Sequence, residues 1–255
     1  MITRRSFLAT STAALATGPS FALTNKASTK KGWAGGDANK HRQFGVHWHY
    51  NWTPNRGHAT PEFVPMIKGA FNVNEKHFNK IRGYKNITSL LGYNEPERQK
   101  QGNIPLDKAI ALWPRLVKLA EQKNLRLGSP APSSDQGGMN YLHEFMEQAK
   151  RKDLRVDFVA VHWYRGRDPD AFEDFVDDLA KEYRLPIWIT EFNGWSGPED
   201  ENYDFLKEAL KFLEKERKVE RYAYFEPGRG KPHSLFKKDG SLSRMGELYR
   251  DAGTA

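Results

Sequence analysis

Short apolar segments that end in Gly, Pro, Asn or Ser alternate with longer amphipathic stretches, and this alternation constrains the fold of the chain most strongly. Apolar, β-branched and aromatic runs of this length are typical of buried strands. The predicted strands cover residues 32–35, 44–50, 63–67, 87–92, 125–129, 157–163, 186–190 and 221–225. Alternating strands and helices favour a single parallel (β/α)8 TIM barrel of the α/β class, with an open doubly wound sheet as the second possibility.

Four stretches carry apolar residues at three- and four-residue spacing and predict helices at about 108–122, 141–151, 171–183 and 203–218. The connections in the first half are shorter, and the segment from Tyr50 to Phe63 has hardly room for a full helix. We therefore expect a compact barrel in which some early helices are reduced to turns. No Pro-, Gly- or Ser-rich linker divides the chain, which predicts one domain.

The first residues resemble a bacterial twin-arginine export signal. Thr3-Arg4-Arg5-Ser6-Phe7-Leu8 precedes a mildly apolar Ala/Thr-rich stretch, and Ser20-Phe21-Ala22 offers the small residues that a signal peptidase reads. We expect a signal peptide at 1–22, an N-terminal extension at 23–31 and the barrel at 32–255. The protein is then exported to the periplasm or the extracellular space. No other stretch approaches the roughly 18 consecutive apolar residues of a membrane span.

Composition excludes several kinds of chemistry. The chain has no cysteine, so it has neither a disulfide framework nor a thiolate nucleophile or metal ligand. Its formal net charge is +8, but the basic residues are interleaved with acidic ones, which is typical of solvated helix faces, and we expect no nucleic-acid partner. His47 and His49 have the spacing of a metal-binding pair, yet no acidic residue accompanies them. We expect no metal and no cofactor.

The most informative acidic residues follow predicted strands. Barrel enzymes build their sites from the carboxyl ends of strands, and only Glu95, Glu97, Glu191 and Glu226 of the 32 acidic residues stand at such ends. Glu95 and Glu191 each directly follow an apolar strand segment, where burial can change a pKa. Hydrolysis of a glycosidic bond requires at least a pair of carboxyl groups, and a barrel mouth can supply them.

Aromatic and polar side chains cluster at the same strand ends. They are Trp48, His49, Tyr50, Asn51, Trp52, His162, Trp163, Tyr164, Asn193 and Trp195. Any one of these aromatic residues could simply belong to the core. Several together at strand exits, beside hydrogen-bonding groups, suit the apolar faces and hydroxyl rims of pyranose rings.

Seven sequence blocks in a fixed order resemble glycoside hydrolase family 128. Leu91-Gly92-Tyr93-Asn94-Glu95-Pro96-Glu97 is similar to the Asn-Glu-Pro signature of the large retaining clan of barrel glycosidases. The other blocks are Trp48-His49-Tyr50-Asn51-Trp52, Phe63-Val64-Pro65-Met66-Ile67, Gly128-Ser129-Pro130-Ala131, Asp157-Phe158-Val159-Ala160-Val161-His162-Trp163-Tyr164, Trp188-Ile189-Thr190-Glu191-Phe192 and Arg221-Tyr222-Ala223-Tyr224-Phe225. The resemblance extends over about residues 32–249.

The resemblance implies a retaining endo-β-1,3-glucanase that acts on laminarin- or curdlan-like polymers. It implies Glu95 as the acid/base, Glu191 as the nucleophile and Asn94 as the residue that holds the sugar 2-hydroxyl. His162 and Tyr164 would orient the nucleophile and the substrate. The remaining substrate-binding residues that it implies are the stacking platforms Trp48, Trp52, Trp163 and Trp195, the hydroxyl-binding Asn51 and Asn193, and also Tyr50 and Tyr224.

Two physical expectations accompany this assignment. The carboxyl groups of Glu95 and Glu191 should lie about 5–5.5 Å apart, as in retaining enzymes. The pKa of Glu95 should be raised, because burial and a nearby negative charge both oppose ionisation. A noncatalytic glucan-binding protein, an exo-acting enzyme and a hydrolase of another β-glycan are the alternatives on the same barrel. We expect a monomer whose partner is a β-1,3-glucan polysaccharide or oligosaccharide.

Overall fold

The computed structural model describes residues 28–254 and contains eight parallel strands within them. The expected signal peptide and most of the expected extension lie outside the described residues. Every predicted strand overlaps an observed one, although most observed strands are shorter. They are β1 Lys31–Ala34, β2 Trp48–Tyr50, β3 Glu62–Phe63, β4 Ser89–Leu90, β5 Arg126–Leu127, β6 Val159–Trp163, β7 Ile187–Phe192 and β8 Val219–Tyr224.

The strands follow one another around a ring. Continuous pairing gives the order β3-β2-β1-β8-β7-β6 and a separate β4-β5 pair. Isolated parallel bridges at Met66–Leu91 and Gly128–Phe158 join the two groups. There the Ile67 N–H donates to the Leu91 carbonyl at 3.0 Å, and the Ser129 N–H donates to the Phe158 carbonyl at 2.9 Å. The single (β/α)8 barrel predicted from the sequence is confirmed.

The long helices lie where the periodicity places them. They are α3 Leu106–Lys123, α4 Gln136–Arg151, α5 Pro169–Tyr183 and α6 Glu199–Lys215. Three shorter helices were not predicted: α1 Ala38–Gln43, α2 Glu75–Gly83 and α7 Arg244–Asp251. The segment between β2 and β3 contains no helix, so the expected reduction of the early helices is confirmed. No helix among residues 28–254 is long and apolar enough to span a membrane.

Large aromatic rings fill the barrel interior. The ring centroids of Phe158 and Trp188 are 4.0 Å apart, and Trp48 lies 5.4 Å from Trp188. Glycines on neighbouring strands make room for them, since a Cβ on Gly32 would lie 2.2 Å from the Trp48 ring and one on Gly128 would lie 2.4 Å from Phe158. The interior is therefore a packed core, and substrate can reach only the mouth.

A buried lysine ties the amino-terminal strand to the last helix. Lys31 Nζ donates to the carbonyls of Tyr249, Arg250 and Ala252 at 2.6–3.1 Å. These carbonyls belong to the end of α7, where backbone acceptors have no partner within the helix. Burial lowers the pKa of Lys31 to about 8 despite the nearby acidic residues. The contact fixes the end of α7 to β1.

Candidate active site

The ends of β4 and β7 carry the two acidic residues that the sequence singles out. Glu191 lies within β7, and Glu95 follows β4 in a loop fixed by the hydrogen bond from its N–H to the Ala131 carbonyl at 2.7 Å. Both carboxyl groups line one cleft of about 780 Å³. Since both elements end at the same face of the barrel, residues 96 positions apart in the chain meet there.

His162 lies between the two carboxyl groups. Its Nδ1 is 3.2 Å from Glu95 Oε1, and its Nε2 is 3.4 Å from Glu191 Oε1 without hydrogen-bond geometry. A register shift between β6 and β7 sets His162 opposite Glu191 instead of Thr190. Such irregularities commonly redirect a side chain beside an active site.

Three donors fix the Glu191 carboxylate. Tyr50 Oη and Trp52 Nε1 donate to its Oε1 at 3.0 and 2.7 Å, and Tyr164 Oη donates to its Oε2 at 2.5 Å. Burial and the Glu191 charge raise the pKa of Tyr50 and Tyr164 well above the usual range, so both phenols remain donors. The carboxylate is therefore held in one orientation, with little freedom to rotate.

One carboxylate oxygen of Glu95 lies within 4.8 Å of one of Glu191, and a nitrogen of His162 completes the group. This group is the one set of three clustered potential metal ligands among residues 28–254. The His47–His49 pair does not take part in it. His49 instead packs against the tilted ring of His41, with ring centroids 4.0 Å apart.

The electrostatics of the pair differ from the sequence expectation. Burial opposes ionisation of Glu95, but the hydrogen bond from His162 and the positive charges of His162, Arg98 and Lys68 outweigh it, and the pKa of Glu95 is lowered. The prediction of a raised pKa is wrong, because it counted Glu191 and burial without the imidazole between them. Burial opposes protonation of His162, yet the charges of Glu191 and Glu95 and the hydrogen bond to Glu95 raise the pKa of the imidazole. Between these two pKa values the proton resides on His162.

Asn94 presents an unused acceptor to the cleft. The side chain is buried, its Oδ1 has no hydrogen-bond partner, and the residue lines the cleft beside Glu95. Its backbone is held on both sides, because its N–H donates to the Lys68 carbonyl and its carbonyl accepts from the Gly102 N–H, each at 2.9 Å. A buried acceptor without a partner is costly, which indicates that a ligand donor completes it.

The structure brings part of the predicted substrate-binding set to the cleft. Of the residues expected there, Trp52, Asn94, Glu95, Tyr164, Glu191 and Trp195 line it. Tyr50 and His162 lie beneath it and contact the carboxyl groups. The phenol of Tyr164 and the indole of Trp195 are 5.6 Å apart, so they form one aromatic wall.

Three expected contacts are corrected because their side chains are buried elsewhere. Trp48, 1% exposed, belongs to the barrel interior and donates its Nε1 hydrogen to the Lys30 carbonyl. Trp163, 2% exposed, packs against Phe172 of α5. Tyr224, 1% exposed, donates its hydroxyl to the His233 carbonyl. None of the three can stack on a sugar in the cleft.

The two asparagines expected to bind hydroxyl groups shape loops instead. Asn51 donates its Nδ2 hydrogen to the Asn55 carbonyl at 2.9 Å in the turn after β2. Asn193 is buried, donates to the Phe225 carbonyl at 3.0 Å and accepts the Trp195 N–H at 2.8 Å. Both corrections have the same physical reason: short amides bond readily to nearby backbone.

Sequence reasoning missed several cleft residues because it weighed only carboxylates and large aromatic residues. The missed ones are Lys68, Arg98, Gln101, Ser133, Ser134, Asp135 and Phe225. Each ends or follows a predicted strand, so position at or after a strand end was the signal that could have found them. Arg98 forms an ion pair with Asp135, which links the loops after β4 and β5.

Backbone strain is concentrated at the site. Among residues 28–254, eight residues other than glycine have positive φ, and four of these are Asn or Asp, which tolerate that region. Three of the others line the cleft: Trp52 at φ 56°, Glu95 at 38° and Trp195 at 68°. Left-handed backbone at large side chains costs about 1–2 kcal/mol per residue and commonly marks functional sites.

Comparison with known proteins agrees with this geometry. A model of the family described as "Glycosyl hydrolase catalytic core" matches residues 22–249. The chain belongs to this family. Alkali-sensitive linkage protein 1 of the fission yeast Schizosaccharomyces pombe is 33% identical over 225 residues, which cover 80% of this chain. The chain spans only 40% of the length of that relative.

Solved structures confirm the resemblance to glycoside hydrolase family 128. A subgroup I endo-β-1,3-glucanase from Amycolatopsis mediterranei, in complex with laminaritriose, is 29% identical with a TM-score of 0.76, over 88% of this chain and 100% of that one. A subgroup III curdlan-specific exo-β-1,3-glucanase from Blastomyces gilchristii, in complex with glucose, is 30% identical with a TM-score of 0.73, over 87% and 97%. The similar structures thus include both endo- and exo-acting enzymes.

Proposed function

We propose that this chain is a retaining endo-β-1,3-glucanase that hydrolyses laminarin- or curdlan-like β-1,3-glucan through a covalent glycosyl-enzyme intermediate. The spacing of Glu95 and Glu191 carries the proposal. Their nearest oxygen atoms lie within 4.8 Å, whereas an inverting enzyme needs carboxyl groups about 6.5–9.5 Å apart to admit a water molecule. The carboxylate of Glu191 can therefore reach an anomeric carbon directly.

The two steps assign different work to the two acids. In the first, a Glu191 oxygen bonds to the anomeric carbon, the glycosidic bond breaks, and the leaving oxygen takes the proton of Glu95. In the second, Glu95 takes a proton from water, the water oxygen bonds to the anomeric carbon, and the ester to Glu191 breaks. Asn94 Oδ1, which has no partner in the free protein, accepts a hydrogen bond from the sugar and tightens it as the ring flattens.

His162 supplies the proton that Glu95 needs. The free site holds the proton on the imidazole, and Nδ1 lies 3.2 Å from Glu95 Oε1, within reach of direct transfer. A sugar that enters the cleft displaces water from Glu95, and this desolvation favours the neutral carboxyl. The proton then moves from His162 to Glu95 before it passes to the leaving oxygen.

The walls of the cleft suit a neutral glucan. Trp52, Tyr164, Trp195 and Phe225 present apolar ring surfaces, and Asn94 and the two serines after β5 add hydrogen-bonding groups. Stacked rings and hydroxyl partners together match the faces and the rims of glucopyranose. The glucan complex of the similar Amycolatopsis enzyme supports the same substrate class.

The test combines product analysis with chemical rescue. Purified protein on laminarin should release reducing ends, and proton NMR should show the β-anomer first, because two displacements retain configuration. Glu191→Gly and Glu95→Gly should each lose most activity, whereas Glu144→Gln, on the exposed side of α4, should not. On an aryl β-laminaribioside, whose activated leaving group departs without a proton, azide should rescue the two glycine variants with opposite anomers of the glycosyl azide. An initial α-product from the wild type would refute retention.

Exo action is the second candidate, because the exo-acting Blastomyces enzyme is as similar to this chain as the endo-acting one. The two actions differ in how fast the polymer shortens. An endo enzyme lowers the viscosity of carboxymethyl curdlan after few cleavages, whereas an exo enzyme releases glucose or a short sugar with little loss of viscosity. We expect the first result.

We also propose export by the twin-arginine route, which rests on Arg4, Arg5 and the small residues before position 23. Cell fractionation should find the wild-type protein outside the cytoplasm. An Arg4→Lys, Arg5→Lys double variant should remain inside. Equal export of both would refute the proposal.

A further inference from the structure

The barrel mouth has two exposed aromatic residues on opposite rims. Phe71 is 60% exposed and Trp195 is 59% exposed, and they are the large apolar side chains that the described residues leave most open to solvent. Phe71 follows β3 and Trp195 follows β7. Strands four places apart in a ring of eight lie across the barrel from each other, and the loops after them share the catalytic face.

The loop of Phe71 is packed against the loop that carries the acid/base. A Cβ on Gly69 would lie 2.9 Å from the edge of the Phe71 ring and 3.2 Å from the Cα of Gly102. Gly102 in turn donates its N–H to the Asn94 carbonyl at 2.9 Å. Phe71 therefore lies on the Glu95 side of the cleft, close to Lys68 and Gln101, which precede Gly69 and Gly102.

Those neighbours are polar groups that face the cleft. Lys68 and Gln101 line it immediately before Gly69 and Gly102. Of the two cations along the cleft, Arg98 pairs with Asp135, whereas Lys68 has no ion-pair partner among residues 28–254. The rim therefore combines an ammonium group, an amide and an exposed aromatic ring. The same combination of polar groups and aromatic rings suits sugar hydroxyls and ring faces in the centre of the cleft.

We propose that Phe71, Lys68 and Gln101 form a distal subsite for glucosyl units on the leaving-group side of the cleaved bond. This proposal rests on the proposed function, since the acid/base defines the leaving-group side. A pyranose ring stacks on Phe71, and Lys68 and Gln101 donate to its hydroxyl oxygens. A retaining enzyme with such a subsite also holds an acceptor sugar there. The acceptor hydroxyl then gives its proton to Glu95 as its oxygen bonds to the anomeric carbon and the ester to Glu191 breaks.

The test compares Phe71→Ala with the wild type, and Phe71→Tyr, which keeps the ring, is the matched control. For Phe71→Ala we expect kcat/KM on laminarihexaose to fall about fivefold to tenfold, and the ratio of transglycosylation to hydrolysis at high hexaose concentration to fall by a similar factor. On laminaritriose the change should stay below about twofold, because short chains do not reach the rim. Phe71→Tyr should behave as the wild type. An equal fall on both substrates, or no fall on either, overturns the subsite.

Binding separates this proposal from the proposed function. Isothermal titration of laminarihexaose into wild-type protein and Phe71→Ala, each with Glu95→Gln to prevent turnover, should show about fivefold weaker binding for the alanine variant. If the unmodified protein cleaves no β-1,3-glucan, the proposed function fails while this titration still decides the subsite. Equal hexaose affinity in both proteins, or no hexaose binding in either, overturns the subsite.

Discussion

His49 provides a quantitative prediction for acid stability. It lies on β2 outside the barrel interior, buried between the His41 ring at 4.0 Å and the Phe63 ring at 5.4 Å, and neither of its ring nitrogens has a hydrogen-bond partner. Burial, with the nearby positive charges of His41, His58 and Arg56, lowers the pKa of His49 from 6.5 to about 3. The folded protein therefore keeps this imidazole neutral over the range in which the unfolded chain protonates it.

The sign and size of the effect follow from linkage. Because the folded pKa lies below the unfolded one, lowering the pH below 6.5 favours the unfolded state, and the loss continues until the pH reaches about 3. Each pH unit in this window is worth about 1.4 kcal/mol. At pH 5, His49 alone should have reduced the free energy of unfolding by about 2 kcal/mol relative to pH 7.5.

The assay is urea unfolding of wild-type protein and His49→Leu at pH 7.5 and pH 5.0, followed by circular dichroism. Leucine has a similar volume and no titratable group, so the variant should lose about 2 kcal/mol less than the wild type between the two pH values. His47→Leu, at an exposed position two residues earlier, should behave as the wild type. An equal loss in His49→Leu and wild type would refute the reasoning, whatever the stability of the variant at pH 7.5.

Two further predictions concern buried charge. Lys31→Met should lower the free energy of unfolding by about 2 kcal/mol, because three carbonyls at the end of α7 lose a charged donor. Urea unfolding measures this free energy, and Lys207→Met, at an exposed position, is the control. In His162→Gln the catalytic proton can be held only on the carboxyl of Glu95. The wild type loses this proton from the imidazole, whose pKa is raised, so under the proposed mechanism the basic limb of the kcat/KM profile on laminarin should move down by about one pH unit in the variant, and kcat should fall. An unmoved or raised limb would contradict the assignment of the proton to His162.

Local pattern was sufficient to predict the barrel and to locate both acidic residues. Strand and helix signals come from residues close in the chain, so the alternation of strands and helices can be predicted without knowledge of tertiary contacts. Glu95 and Glu191 could be found because an acid directly after an apolar strand is rare and because a parallel barrel brings all such ends to one face. The same reasoning applied to Lys68 or Ser133 would have found more of the cleft.

The side-chain environment could not be predicted in this way. Trp48 and Trp52 are both tryptophans and lie only four residues apart, yet the first fills the barrel interior and the second donates a hydrogen bond to Glu191. Strands buried on both faces carry apolar residues at every position, so the sequence has no period that separates interior, exterior and mouth. The pKa of Glu95 was misjudged for a related reason, since only the fold shows that His162 stands between the two carboxyl groups.

The three strained residues of the cleft share one further property that offsets the cost of their backbone conformation. Each is anchored by a short hydrogen bond: Trp52 Nε1 donates to Glu191 at 2.7 Å, the Glu95 N–H to the Ala131 carbonyl at 2.7 Å, and the Trp195 N–H to Asn193 at 2.8 Å. A hydrogen bond contributes about 0.5–1.5 kcal/mol, and one to a charged group about 1.5–3, which is comparable with the cost of left-handed backbone. The anchors belong to β7, to the segment after β5 and to the loop after β7, so the barrel framework holds Glu95, Trp195 and Trp52 in place. Sugar binding then need not pay the conformational cost of arranging them, and more of its free energy remains for the distorted ring of the transition state.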